Sequence, residues 1–132
     1  MSAESVLTAA EIKLLKAKRT YAKKLLGLLM DHLHHHHPQA VRLTVYADQL
    51  THEYFIGELL DPDGHAIGLD PDSVVVAPAQ AHGPFGVQIG VGPHSVAELF
   101  RRALSTYEGP LEKLLRTERC TGEHYLDLSR TH

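Results

Sequence analysis

The chain predicts an α+β fold: a bent antiparallel sheet of four to six strands packed with helices and preceded by a long amphipathic helix. Three observations carry that expectation. Apolar residues follow a helical period up to Pro38, they alternate in short runs from Val41 to Val91, and a helical period returns after Pro93. Because no helix separates the short strand runs, neighbouring strands are expected to pair antiparallel.

The first helix is expected to begin at Thr8. Thr8-Ala9-Ala10-Glu11 has the form of a capping box, in which a hydroxyl and a carboxylate satisfy orphan backbone N–H groups. Ile12, Leu15, Ala22, Leu26, Leu29 and Leu33 then recur at intervals of three and four, interrupted by Arg19. The stripe runs to about His36 and stops before Pro38, because the residue preceding a proline avoids helical angles. A helix of roughly 28 residues is about 42 Å long, more than the core of so small a domain spans. Part of it is therefore expected to pack on the body, or its stripe to meet another chain as a dimer or trimer.

After Pro38 the period shortens. Val41, Leu43, Val45 and Ala47 alternate with Arg42, Thr44 and Tyr46 as a half-buried strand. Glu53 to Leu60 reads as a second strand, with the turn Asp61-Pro62-Asp63-Gly64 after it and His65 to Leu69 as the returning arm. Ser73 to Ala77 and Phe85 to Val91 read as two more. Ser95-Val96-Ala97-Glu98 opens a helix with Leu99, Phe100, Ala103, Leu104 and Tyr107 on its apolar side. Pro110 is placed to open a second short helix through Leu115, residues 116–122 read as a polar connection, and Glu123 to Leu128 as a last strand. The expected organisation is a basic helix over residues 1–37 with a His-rich end, followed by an α+β domain over 38–132.

Composition narrows the class. Thirteen Lys and Arg against sixteen Asp and Glu give a formal charge of −3, with 43% hydrophobic and 22% charged residues, ordinary for a globular domain. The single cysteine, Cys120, excludes an internal disulfide and favours a reducing, cytoplasmic setting. Glu4 and Glu11 stand where a secretory signal needs a basic and then an apolar region, and no stretch reads as a membrane span. Charge is unevenly placed: residues 1–37 hold six basic and three acidic side chains, the remainder seven and thirteen. Such a basic arm, with Lys13, Lys16, Lys23 and Lys24, is a candidate contact for nucleic acid or another anionic partner.

Chemistry-bearing motifs are sparse. His32 and His36 stand four residues apart on a helix and are candidate ligands for zinc or nickel, although nothing nearby has the spacing of a third and fourth ligand. The two Asp-Pro-Asp units lack EF-hand spacing, and the Gly-Pro loops lack the Lys-Ser/Thr ending of a phosphate loop. No Ser-His-Asp or Cys-His arrangement is suggested, so no enzymatic activity and no cofactor are expected.

The order of motifs from residue 39 to residue 128 resembles the SsgA-like regulators of actinobacterial sporulation and cell division. The matching stretches are Ala40-Val41-Arg42-Leu43-Thr44, Glu53 to Leu60, Asp72-Ser73-Val74-Val75-Val76-Ala77-Pro78, His82 to Ile89, Leu114-Leu115-Arg116-Thr117 and Gly122 to Asp127. The resemblance implies a whirly-like bent sheet, a homotrimer without enzymatic activity, and an adaptor role in placing the septum by recruiting division machinery such as the tubulin-like GTPase FtsZ. It implies no particular binding residue.

Overall fold

The computed structural model describes residues 2–77, 79–82, 88–91 and 93–129. The fold is α+β. A 34-residue helix α1 (Ala3–His36) leads into β1 (Arg42–Ala47), β2 (Tyr54–Leu60), β3 (Ala66–Ile67), β4 (Val74–Val76), β5 (Ala79–His82), β6 (Gln88–Val91) and β7 (His94–Ser95). Helix α2 (Val96–Thr106), a 3₁₀ turn (Leu111–Lys113), β8 (Arg116–Thr117) and β9 (His124–Asp127) complete it.

Helix α1 starts six residues earlier than the Thr8 box predicts. Ser2 is its N-cap, extended in backbone and accepting the Ser5 N–H at 3.2 Å, so Thr8 and Glu11 lie inside the helix. An available earlier cap wins because the intervening residues Ala3 to Leu7 include no helix breaker. The C-terminal end falls where Pro38 requires: His37 closes it, donating its N–H to the Leu33 carbonyl. At 1.5 Å per residue, α1 is about 51 Å long.

Five strands form one open antiparallel sheet in the order β3-β2-β1-β9-β8, so β1 is central and the C-terminal strand β9 lies beside it. Strand β2 carries an extra residue where it passes Thr44: Leu43 pairs with Leu59, but Val45 pairs with Ile56. The Thr44 hydroxyl accepts the Glu58 N–H at 2.7 Å and so replaces the ladder bond that the bulge removes. Two smaller antiparallel pairs, β4 with β7 and β5 with β6, stand outside this sheet. Of the predicted Phe85–Val91 strand, residues 88–91 are present and 85–87 lie outside the described residues.

Two C-terminal expectations are corrected. The second short helix is a single 3₁₀ turn, Leu111–Lys113. The segment read as a polar connection is a hairpin, with Arg116 paired to Tyr125 and Thr117 to His124, and its turn is closed by Gly122 at φ +74°. Two-residue strands of polar side chains leave no apolar alternation to read.

One core cluster joins all layers. Leu25, Leu26, Leu29 and Leu33 of α1 and Val96, Leu99, Phe100 and Ala103 of α2 pack in it with Leu43, Val45, Leu59 and Leu126 of the sheet. Helix α2 lies against both α1 and β2. Its N-cap is as predicted: the Ser95 hydroxyl accepts the Glu98 N–H at 3.2 Å. The Glu98 carboxylate does not close a full capping box; it meets His94 Nδ1 at 3.2 Å and Arg102 Nε at 3.4 Å. Leu104 and Tyr107, placed on the buried stripe, are only half-buried.

Candidate functional site

The helix α1 carries most of the residues singled out in the sequence, and the fold sorts them onto different faces. Ala22, Leu26, Leu29 and Leu33, expected as a face for a partner chain, are buried in this chain's own core. They cannot meet another chain while the body is folded, because the chain itself already covers them. Of that set, Ile12 is exposed and Leu15 half-buried. Every residue from Ser2 to Leu14 is exposed, so the first three turns of α1 run out beyond the body.

Arg19, the interruption in the apolar stripe, has a structural task. Its Nε–H donates to the Glu108 carbonyl at 2.6 Å and its guanidinium lies 6.0 Å from the Tyr107 ring centre. Lys18 pairs with the Glu108 carboxylate at 3.1 Å. Together these two side chains tie the middle of α1 to the loop that ends α2. A cation within a Leu stripe was legible in the sequence; its partner, 89 residues away, was not.

Lys13, Lys16, Lys23 and Lys24 are all exposed. At about 100° per residue they fall within an arc of roughly 100°, on the side of α1 turned away from Ala22, Leu29 and Leu33. No acidic side chain stands between Lys13 and Lys24, so the arc is a continuous basic strip about 16 Å long. The sequence-predicted basic residues are therefore brought to one face.

His32 and His36 are also brought together, with ring centres 4.3 Å apart. They border a small cavity of about 240 Å³ with His37, Asp70 and Ser73. His32 Nε2 lies 3.3 Å from the Ser73 hydroxyl. Burial holds the His32 pKa below its ordinary value, and the neighbouring His36, His37 and His35 lower it further. Among the described residues the only three ligand atoms from His, Cys, Asp or Glu lying within 4.8 Å of one another belong to Asp61, Asp63 and His65. That set is a turn: Asp61 Oδ1 accepts the backbone N–H groups of Asp63 at 3.0 Å and His65 at 2.8 Å. Among the described residues the histidine pair is not joined by a third such ligand.

Two open grooves have no signal in the sequence. One, of about 720 Å³, lies between the β1–β2 loop and α2 and is bordered by His52, Glu53, Asp72, Glu98 and Arg101. The other, of about 920 Å³, runs along the β8–β9 hairpin past Met30, Arg119 and the exposed Cys120. Both gather residues from distant parts of the chain, which is why no local motif announces them.

Among the described residues, no helix is long and apolar enough to cross a membrane. The chain matches no protein-family model, no curated protein and no solved structure.

Proposed function

We propose that the chain is a non-enzymatic adaptor that docks other macromolecules, working in the cytoplasm with the projecting half of α1 as its contact arm. The observation that carries this reading is the division of α1 at its middle. From Ala22 onward the helix is part of the core, whereas Ser2 to Leu14 are exposed and include Val6, Leu7, Ile12 and Leu14. A helix whose only task is to complete the core has no use for about 18 Å of apolar-bearing extension. The motif order over residues 39–128 favours a division-machinery partner of the FtsZ type. Purified tubulin-like division GTPase is expected to be retained by the immobilised full chain and lost when the exposed Val6 and Ile12 are both replaced by Ser. Failure of the full chain to retain it rejects that partner.

A second reading, nucleic-acid binding, is favoured by the uninterrupted basic strip of Lys13, Lys16, Lys23 and Lys24. Phosphate contacts there give an affinity that falls steeply with salt. A gel shift at low salt tests it, and an unretarded duplex and single strand reject it. The histidine pair supports a third, transition-metal binding. Stoichiometric heats with zinc or nickel that vanish in a His32→Ala, His36→Ala variant are expected on that reading, and unchanged heats reject it.

A further inference from the structure

Helix α1 carries a second apolar stripe that its own core leaves uncovered. Leu7, Leu14, Tyr21 and Leu28 follow one another at intervals of seven and are 61%, 57%, 44% and 48% exposed. Between them, at the companion heptad positions, stand Ala3, Ala10, Ala17 and Lys24, all exposed. At about 100° per residue the Leu and Ala positions occupy an arc of roughly 80°, its centre about a quarter turn from that of the buried side, which it adjoins at Leu25. A strict seven-residue repeat on so narrow an arc is the seam of a paired helix; a face that covers a core or lies on a lipid surface is broader.

We propose that this stripe is the docking site for a second copy of the chain, whose α1 lies antiparallel along it. The alternation of large and small residues selects the orientation. A parallel pair sets Lys24 directly against Lys24 and stacks Ala on Ala, which leaves gaps. An antiparallel pair whose two-fold axis passes between residues 15 and 16 sets each large side chain against a small one. Leu14 meets Ala17 of the second copy, Tyr21 meets its Ala10, and Leu28 meets its Ala3. Lys24 lays its aliphatic stem over Leu7 of the second copy and carries its ammonium to solvent.

The flanking charges agree with the same register. Glu11 comes beside Lys18 of the second copy, twice by symmetry, while Lys13 comes beside Thr20 and meets no like charge. Lys18 already touches Glu108 at 3.1 Å in an exposed pair, and an ammonium with three donors serves both carboxylates. The overlap from Ala3 to Leu28 is about 39 Å long and about 10 Å wide, or on the order of 800 Å² over both copies as a flat strip. That is less than the roughly 1,000 Å² a stable interface buries, so the dimer is a weak one that dissociates on dilution. Its formation leaves the Lys13–Lys16–Lys23 side of each helix open to other partners.

Light scattering on the full chain at about 100 µM is expected to give twice the 14.6 kDa chain mass, falling toward it on dilution to micromolar. Leu14→Lys is expected to remain monomeric with unchanged helical circular dichroism, since Leu14 is exposed and outside the core cluster. The register is read by disulfide trapping on a Cys120→Ser background. An Ala10→Cys chain mixed with a Tyr21→Cys chain yields a covalent heterodimer, whereas each alone yields none. A monomeric full chain at about 100 µM, an unaltered dimer in Leu14→Lys, or cross-linking of each variant with itself overturns the proposal. So does a chain that is monomeric in solution and gathers on phosphatidylserine vesicles. A monomer that still retains a division protein overturns this inference and leaves the adaptor reading standing.

Discussion

Three residues hold conformations or charge states that set them apart from their neighbours. His52 has φ +59°, a left-handed backbone that closes the β1–β2 loop, where its N–H donates to the Asp48 carbonyl at 2.8 Å. A side chain with a Cβ is strained there by about 1 kcal/mol. His52→Gly is therefore expected to stabilise the fold by up to about 1 kcal/mol, seen as a higher urea midpoint at unchanged slope. Gly57 is the opposite case. A Cβ at that position would collide with Thr44 Oγ1 and come within 2.8 Å of the Tyr46 ring. Gly57→Ala is expected to cost about 1–3 kcal/mol in the same measurement, because the bulge has no room to give. His32 sets a pH dependence. With its folded pKa below the unfolded value of 6.5, the unfolded chain binds more protons near and below pH 6.5. The stability that neutral His32 contributes is complete above pH 6.5 and is lost as pH falls toward and through the lowered value. Thermal midpoints are expected to drop on acidification from pH 7.5 to 5.5, and the drop is expected to shrink in His32→Gln. An identical pH profile in that variant refutes the assignment.

At the scale of elements, the two helices differ in how their sequences use an apolar period. Helix α2 is one-sided: Val96, Leu99, Phe100 and Ala103 are buried, while Arg101, Arg102 and Ser105 are exposed. Helix α1 bears apolar residues on two sides, one buried from Ala22 to Leu33 and one exposed from Leu7 to Leu28. Truncation of Leu29, fully buried between the layers, is expected to cost about 2–5 kcal/mol in Leu29→Ala. Leu14→Ala is expected to shift chemical stability by less than about 0.5 kcal/mol in dilute, monomeric protein. Equal losses in the two variants would mean that the projecting turns are part of the core after all.

For the molecule as a whole, the long helix and the body are coupled at two places, the Leu25–Leu33 packing and the Lys18 and Arg19 contacts to Glu108. Deletion of residues 1–10 removes neither, so the shortened chain is expected to unfold within a few degrees of the full one while losing self-association. Arg19→Ala removes one anchor and, for a largely exposed contact, is expected to cost about 1 kcal/mol. In the proposed dimer the outer surface consists of the basic strip on α1 and the acidic body, an arrangement expected to steer an anionic partner to the helix.

Local chemistry was enough to determine the α+β class, the end of α1 at Pro38, the Ser95 cap of α2 and the central strands, because each depends on period or capping within a few residues. The start of α1 differs from the one its Thr8 box predicts, since two caps compete and their ranking depends on how far the intervening residues propagate a helix. Only the tertiary structure decided which apolar stripe of α1 the body would cover. The sequence presents two at similar spacing, and the choice rests on where α2 and the sheet approach, a matter of residues some seventy positions distant. The same holds for Arg19, for the β8–β9 hairpin, and for the histidine pair, which four-residue spacing brings together and which has no third ligand among the described residues.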